Sequence, residues 1–259
     1  MLHLRVSGVA SQPTIMFLHG IGTSGWMWED QFRRLTGFHC VAVDLPGHGL
    51  SRSVRWHSME RTADLVGDVI RAEVPGRKAH IVGLSLGAYV GLTLLSRNQE
   101  VADRAVLSGL NVLPLPNPWM MTVMGYLMAP ILKTSAGARM NARALKVPDD
   151  HFEGYRKSLQ QLSMQGFMAA SRDAGAYSMP TGTANIRTPT LLIAGEREHA
   201  LIQRSMDALA AVLPHAEKRF ANSLGHGWNG EAPELFAATV RAWCDGARLP
   251  DVLLDHVPQ

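Results

Sequence analysis

The sequence predicts an α/β fold, with a doubly wound, mostly parallel β-sheet that is interrupted by a helical insertion. Three observations support this prediction. Short apolar segments alternate with longer amphipathic ones through the first 111 residues, the alternation stops over residues 112–185, and it resumes afterwards. The chain of 259 residues is long enough for one large domain. We therefore assign residues 1–111 and 186–259 to one core domain, and 112–185 to a helical cap inserted into it.

The predicted strands are short apolar segments, most of them bounded by Gly, Asp or Ser. In the first, at residues 2–6, apolar and polar side chains alternate, which indicates a half-exposed edge strand. The segments at residues 14–18, 40–43, 79–82 and 105–107 are typical of strands buried in a parallel sheet. Two further strands are predicted after the insertion, at residues 190–194 and 217–220.

Amphipathic segments between these strands predict the helices of βαβ units. Pro233 suits the first turn of the last one, where a missing N–H costs no hydrogen bond. The predicted core helices span residues 26–35, 59–72, 88–95, 203–213 and 233–244.

The insertion differs in composition from the core. Eight of the 13 methionines fall here, at positions 120, 121, 124, 128, 140, 164, 168 and 179. Because Met adapts its shape to different apolar groups, one hypothesis is that the segment forms one wall of an apolar pocket. The alternative is that these side chains simply pack the helices of the insertion on the core. Aromatic residues of the same segment are candidates for that wall: Trp119, Tyr126, Phe152, Phe167 and Tyr177.

Composition and charge exclude several classes of function. Hydrophobic residues make up 46% and charged residues 18% of the chain, which is ordinary for a globular protein. The net charge is +3, and no cluster of Lys and Arg marks a surface for nucleic acid or anionic lipid. No nucleic-acid partner is expected.

Two cysteines, Cys40 and Cys244, lie in apolar surroundings and are interpreted as buried thiols rather than a disulfide framework.

The N-terminal residues lack the apolar run of about 7–15 residues that a secretory signal needs. The most lipid-like run, 119–132, is too short to span a bilayer. We expect a cytoplasmic protein without membrane insertion.

Residues 83–87, Gly-Leu-Ser-Leu-Gly, carry the first candidate for chemistry. They follow a predicted strand and precede a predicted helix, a context in which glycines permit a sharp turn that exposes the Ser85 hydroxyl. The backbone N–H of Leu86 then points towards an oxyanion formed on a bound carbonyl. Ser85 is the predicted nucleophile.

The turn at residues 19–22, His-Gly-Ile-Gly, follows the strand at 14–18 and predicts a second oxyanion donor, the backbone N–H of Ile21. Nearby His19 and His48 are interpreted as residues that hold loop structure. The alternative for this segment is an ordinary glycine turn.

His226 stands between two glycines, after the strand at 217–220 and before the last helix. A loop histidine there reaches over the sheet edge towards a serine and serves as the general base. The residue that orients its imidazole follows the strand at 190–194, where Glu198 is preferred and Glu196 is the alternative. The sequence does not decide between Glu198 and Glu196. Either carboxylate could also be an ordinary solvated group in a loop, with no role in the site.

Taken together and in this order, five motifs resemble the α/β-hydrolase family over nearly the full chain. They are Phe17–Gly20, Asp44–Gly49, Gly83–Gly87, Leu192–Glu198 and Gly225–His226. The resemblance implies a Ser85–Glu198–His226 triad, a cap over the site and no cofactor. It also shows a departure, because most members carry Asp at the position of Glu198.

These residues predict a serine hydrolase that cleaves a carboxylic ester, lactone or thioester of a small, largely apolar molecule through an acyl-enzyme. The same triad also serves carbon–carbon bond hydrolysis and cofactor-free perhydrolysis, which stay open. Epoxide hydrolases and haloalkane dehalogenases are disfavoured, since they carry Asp where this chain has Ser85.

The alternative to an enzyme is a binding protein that has the hydrolase fold and holds a small ligand without cleaving it. No metal site is predicted, since His and Cys do not cluster, and no phosphate-binding glycine pattern follows a strand. The oligomeric state stays open.

Overall fold

The computed structural model describes residues 1–115, 130–144 and 147–256. In these residues eight strands form one sheet in the order β1-β3-β2-β4-β5-β6-β7-β8, which confirms the predicted fold class. The strands are β1 (Leu4–Ser7), β2 (Thr14–Leu18), β3 (His39–Val43), β4 (Ala79–Leu84), β5 (Ala102–Ser108), β6 (Thr190–Gly195), β7 (Ala216–Ala221) and β8 (Leu253–Leu254).

The six central strands run parallel, and the two edge strands, β1 and β8, run antiparallel to their neighbours. The register aligns the carboxyl ends of the central strands. Leu18 of β2 pairs with Gly83 of β4, Leu84 with Ser108 of β5, and Ser108 with Ile193 of β6. The segments that leave these ends are therefore neighbours at one edge of the sheet.

Helices cover both faces of the sheet. They are α1 (Glu29–Arg34), α2 (Met59–Glu73), α3 (Leu86–Asn98), α4 (Ser135–Ala144), α5 (Phe152–Gln161), α6 (Met164–Gly175), α7 (Ala200–Ala210), α8 (Trp228–Glu231) and α9 (Pro233–Asp245). Helices α2, α3 and α7 pack on one face, and α1 and α9 on the other.

The core consists of two apolar layers separated by the sheet. Because side chains alternate across a strand, Met16 and Leu18 of β2 enter one layer, while Ile15 and Phe17 enter the other. All four are fully buried. This burial on both faces explains why the central strands have nearly continuous apolar sequences.

Some boundaries differ from those predicted. Helix α7 begins at Ala200 rather than 203, because the His199 side chain caps it by accepting a hydrogen bond from the Leu201 N–H. The short elements α8 and β8 were not predicted at all, since their few residues give no readable period.

Between β5 and β6 the described residues hold α4, α5, α6 and short turns, but no strand. Part of the predicted pocket wall, at positions 119, 120, 121, 124, 126 and 128, lies outside the described residues. Cys40 and Cys244 are buried free thiols. Within the described ranges, no helix is both long and apolar enough to cross a bilayer.

Candidate active site

Ser85 lies in the sharp turn between β4 and α3. Its backbone has φ 54° and ψ −118°, a conformation that is strained for any residue other than glycine. The Ser85 N–H donates to the carbonyl of Ser108 at 2.8 Å, which ties the turn to the end of β5. The strain is held in place by the sheet and leaves the side chain facing the carboxyl edge.

Helix α3 begins immediately behind the serine because Gly87 allows a close approach to β2. A Cβ at Gly87 would lie 2.0 Å from the carbonyl oxygen of Leu18, so no larger residue fits. Leu86 is the first residue of α3, and its N–H has no intrahelical acceptor. This N–H and the positive end of the helix dipole are available to a developing anion beside Ser85.

His226 and Glu198 form a hydrogen-bonded pair in the loops that follow β7 and β6. His226 Nδ1 lies 2.9 Å from Glu198 Oε2, and the glutamate side chain is only 2% exposed. Since an ionised carboxylate only accepts, Nδ1 carries the proton and donates it. In the neutral ring, Nε2 is then left with a free lone pair.

Two opposing effects act on the pKa of His226. Burial disfavours the charged ring and lowers the pKa, while the hydrogen bond and the negative charge of Glu198 raise it. The effects of Glu198 outweigh burial, so the pKa lies above its ordinary value of 6.5.

Glu196, the alternative acid, has a different partner. Its Oε2 accepts the backbone N–H of Ser223 at 2.6 Å. Next to it, the Arg197 N–H donates to the Leu224 carbonyl at 2.9 Å. Glu196 and Arg197 thus tie the two loops together, while Glu198 contacts the imidazole.

Gly109, directly after β5, is a site residue that the sequence did not reveal. Its φ is +68°, and a Cβ there would lie 2.8 Å from His226 Cε1 and 2.9 Å from Glu198 Oε1. His226 and Glu198 therefore pack directly against the backbone of Gly109, where there is no room for a side chain. The only signal in the sequence is a glycine at the end of a predicted strand, which is too common to interpret.

We expect Gly109→Ala to lower kcat/KM for an ester by about 100-fold, because displacing catalytic groups by about 1 Å costs that much. Gly76→Ala is a matched control, since Gly76 has φ +72° and a Cβ added to it would have no neighbouring atom within 4 Å. Both variants should lose roughly 1–2 kcal/mol of unfolding free energy from the left-handed backbone. Chemical denaturation and steady-state kinetics test this; equal activity in the two variants contradicts it.

The turn after β2 lies beside Ser85. A Cβ placed on Gly20 would be 3.6 Å from Ser85 Cβ, so this backbone borders the serine. His19 is fully buried, and burial lowers its pKa to about 4, partly opposed by its hydrogen bond to the Gly20 carbonyl. Burial likewise lowers the pKa of His48, to about 3. Both are neutral, buried groups within the loops.

Ser85 and His226 line the same cavity, which has a volume of about 270 Å³. The described part of its wall is mainly apolar. From the core it includes Ile21, Trp26, Met27 and Leu84. Polar groups on the wall, besides Ser85 and His226, include Thr23, Tyr155 and Asn229. A small and largely apolar molecule fits such a space.

The insertion contributes Val147, Pro148, His151 and Tyr155 to this wall. Of the two roles considered for Phe152, Phe167 and Tyr177, the structure supports packing rather than lining of this cavity. Phe152 packs with Tyr155 and with Arg139. The Phe167 ring approaches Gly22, and the ring of Tyr177 meets that of Tyr89 edge-on.

A close polar contact between His151 and Asp30 fastens the wall from the insertion to the core. His151 Nε2 lies 2.7 Å from Asp30 Oδ2, and the other oxygen of Asp30 binds Arg33 and Arg34 of α1. The ring of Trp26 meets His151 edge-on. These contacts fix the wall that faces Ser85.

Across the part of the chain that the structure describes, no group of three or more His, Cys, Asp or Glu side chains is arranged to hold a metal ion.

Comparison with known proteins identifies the family to which this fold belongs. Residues 15–239 match the model of the alpha/beta hydrolase family. A protein of Gibberella zeae described as an AB hydrolase superfamily protein is 24% identical over 249 residues, covering 92% of this chain and 82% of its own. An esterase of Mycobacterium tuberculosis is 33% identical over 99 residues, covering 38% of this chain and 33% of its own.

Among solved structures, a hydrolase of Pseudomonas aeruginosa superposes with a TM-score of 0.75 at 26% identity, covering 94% of both chains. An enol-lactonase of Burkholderia xenovorans has a TM-score of 0.75 at 22% identity, covering 94% of this chain and 96% of its own. The family match spans far more than half of the sequence. The chain therefore belongs to the alpha/beta hydrolase family and is an enzyme of the hydrolase class.

Proposed function

We propose that this protein is a serine hydrolase that cleaves the carboxylic ester of a small, largely apolar molecule through an acyl-enzyme. The observation that carries the proposal is the 2.9 Å hydrogen bond from His226 Nδ1 to a buried Glu198, with the imidazole and Ser85 on one cavity. This bond leaves His226 Nε2 as the proton acceptor on the side away from the carboxylate.

The proposed reaction has two halves. His226 takes the proton of Ser85 as its oxygen attacks the ester carbonyl, and the backbone N–H groups of Ile21 and Leu86 bind the resulting oxyanion. His226 then protonates the departing alcohol, which leaves an ester of Ser85. In the second half His226 activates a water molecule, and the acid product and free Ser85 are released.

Glu198 has two roles in this scheme. It holds the imidazole in the tautomer with the proton on Nδ1, and it stabilises the imidazolium formed in each half reaction. Its side chain is longer than the usual Asp, and from the loop after β6 it places Oε2 2.9 Å from the imidazole.

We propose that residues 112–185 form a cap that sets substrate preference. Val147 and Pro148 place apolar surface opposite Ser85, which favours uncharged acyl or alcohol groups. The name of the Mycobacterium tuberculosis relative, an esterase, supports the ester as the substrate class.

A fluorophosphonate probe and an ester panel test the proposal. We expect time-dependent labelling at Ser85, located by peptide mass spectrometry, because only a serine activated by a base reacts rapidly. We also expect hydrolysis of p-nitrophenyl esters with uncharged acyl groups, at rates that change with acyl length. Lactones, thioesters and carbon–carbon substrates in the same panel separate the alternatives that share this triad.

Two outcomes would contradict the proposal. Failure of the probe to label Ser85 would favour a protein that only binds a ligand. Activity confined to short, charged esters would contradict the apolar preference while leaving the serine mechanism in place.

A further inference from the structure

We propose that Thr23 is a positioning residue that aims the Ile21 N–H at the oxyanion, an inference that rests on the proposed function. Thr23 lies three residues after Gly20, and no motif of the sequence singles it out. Its hydroxyl does not need to touch the substrate, because it acts through the peptide bond between Gly20 and Ile21.

Several hydrogen bonds converge on the carbonyl oxygen of Gly20 and restrain its direction. It accepts hydrogen bonds from Thr23 Oγ1 at 2.7 Å and from His19 Nδ1 at 2.8 Å. The Thr23 backbone N–H approaches the same oxygen at 3.3 Å. A carbonyl oxygen has two lone pairs, so the two shorter bonds occupy them and the backbone contact is secondary.

Holding this carbonyl also fixes the N–H of the next residue. The peptide group is planar and trans, so the Gly20 C=O and the Ile21 N–H point in opposite directions in one plane. Ile21 lines the cavity of Ser85, and Gly20 borders the Ser85 side chain. Because the Gly20 carbonyl is hydrogen-bonded to His19 and Thr23, the Ile21 N–H on the opposite side of the peptide is directed towards the cavity.

The imidazole of His19 is fixed independently of Thr23. The Leu45 N–H donates to its Nε2 at 2.9 Å, which leaves the proton on Nδ1 for the Gly20 carbonyl. His19 holds the Gly20 carbonyl from the residue before it, while Thr23 holds the same oxygen from the chain that follows. Gly22, with φ +74°, adds backbone freedom there, so the Thr23 hydroxyl is the side-chain restraint on that side.

Met27 offers the only competing acceptor that the described structure gives for this hydroxyl. Thr23 Oγ1 lies 3.2 Å from Met27 Sδ, but a thioether is a weak acceptor. The hydroxyl has one proton, and the carbonyl at 2.7 Å is the stronger partner. Removing the hydroxyl still leaves the Gly20 oxygen bound to His19, so the fold should tolerate the change.

Thr23→Val and Thr23→Ser test this role by steady-state hydrolysis of a p-nitrophenyl ester. Valine keeps the shape and removes the hydroxyl, whereas serine keeps the hydroxyl. We expect Thr23→Val to lower kcat about tenfold with KM within twofold. This loss is smaller than the 10²–10³-fold loss typical when a donor is removed outright. Thr23→Ser should restore kcat to within about threefold of the wild type.

The inhibition constant of a trifluoromethyl ketone is a second measurement, and it should not change if Thr23 only supports the fold. Ser85 Oγ adds to the ketone carbon, its proton passes to His226, and the former carbonyl oxygen becomes an oxyanion. We expect its inhibition constant to rise about tenfold in Thr23→Val, in step with the fall in kcat. The matching methyl ketone, which remains a ketone, should bind equally well to both proteins.

Equal kcat and inhibition constants in wild type and Thr23→Val would overturn the inference. So would an equal loss in Thr23→Ser, since shape rather than the hydroxyl would then matter. If thermal melting shows that Thr23→Val does not fold, Thr23→Ser against Thr23→Ala gives the same comparison. A wild type that neither hydrolyses esters nor reacts with the fluorophosphonate instead refutes the proposed function itself.

Discussion

Ser85→Ala is expected to lower the turnover of an ester substrate by roughly 10⁶-fold. The reason is that the reaction then lacks the oxygen that forms the acyl-enzyme. Binding and the oxyanion N–H groups remain, and they should leave a residual rate about 10³–10⁴-fold above the uncatalysed reaction. Steady-state hydrolysis of a p-nitrophenyl ester measures the loss.

Ser223→Ala is the matched control for this variant. Ser223 also has a left-handed backbone, with φ 57° against 54° for Ser85, but it is exposed and its hydroxyl bonds only Asn222 among the described residues. The backbone strain of a serine-to-alanine change is thus similar at both positions. We expect full activity in Ser223→Ala; wild-type turnover in Ser85→Ala would rule out the serine mechanism.

Glu198→Gln is expected to lower kcat by about 10³–10⁴-fold, because a neutral amide cannot stabilise the imidazolium of His226. Glutamine has nearly the same size, so the buried side chain should still pack and the fold should persist. The comparison of kcat between this variant and the wild type, at several pH values, measures the effect.

Glu196→Gln is the control that separates the two glutamates. Its carbonyl can still accept the Ser223 N–H, so we expect activity within a few-fold of the wild type. If the Glu196 variant were inactive and the Glu198 variant active, the acid would have been assigned to the wrong residue.

The pH dependence gives a second readout on the same pair. His226 acts as a base only when neutral, so kcat/KM should fall as the pH falls through the pKa of its imidazole. Because Glu198 raises that pKa, we expect the midpoint above 6.5 in the wild type. In Glu198→Gln, burial acts unopposed and the midpoint should move to lower pH. An unchanged midpoint would contradict this coupling.

Local sequence patterns located seven of the eight strands in the described residues, all except β8. The apolar run 14–18 coincides with β2, and the run 190–194 differs from β6 by one residue. These patterns work because burial on both faces acts on each strand separately. The helix ends were harder to predict, as α7 shows, because a cap depends on the direction of one side chain.

The candidate site could be predicted only in part from the sequence, because it too depends on the directions of individual side chains. Ser85 and His226 stand in turns whose glycines are visible in the sequence. Val147, Pro148, His151 and Tyr155, by contrast, face the cavity from a segment whose own sequence suggested other residues. Which side of an inserted helix faces the core depends on contacts with residues far away in the chain.

By itself, the sequence determined the fold class and the strands that carry the candidate nucleophile and base, since these depend on short-range period and turn chemistry. Only the tertiary structure decided that Glu198 rather than Glu196 meets the imidazole and that Gly109 leaves room for that pair. It alone also showed the Thr23 hydroxyl on the Gly20 carbonyl. Adjacent carboxylates look alike in a sequence, and only the path of the folded loop determines which one reaches a histidine 28 residues further along the chain.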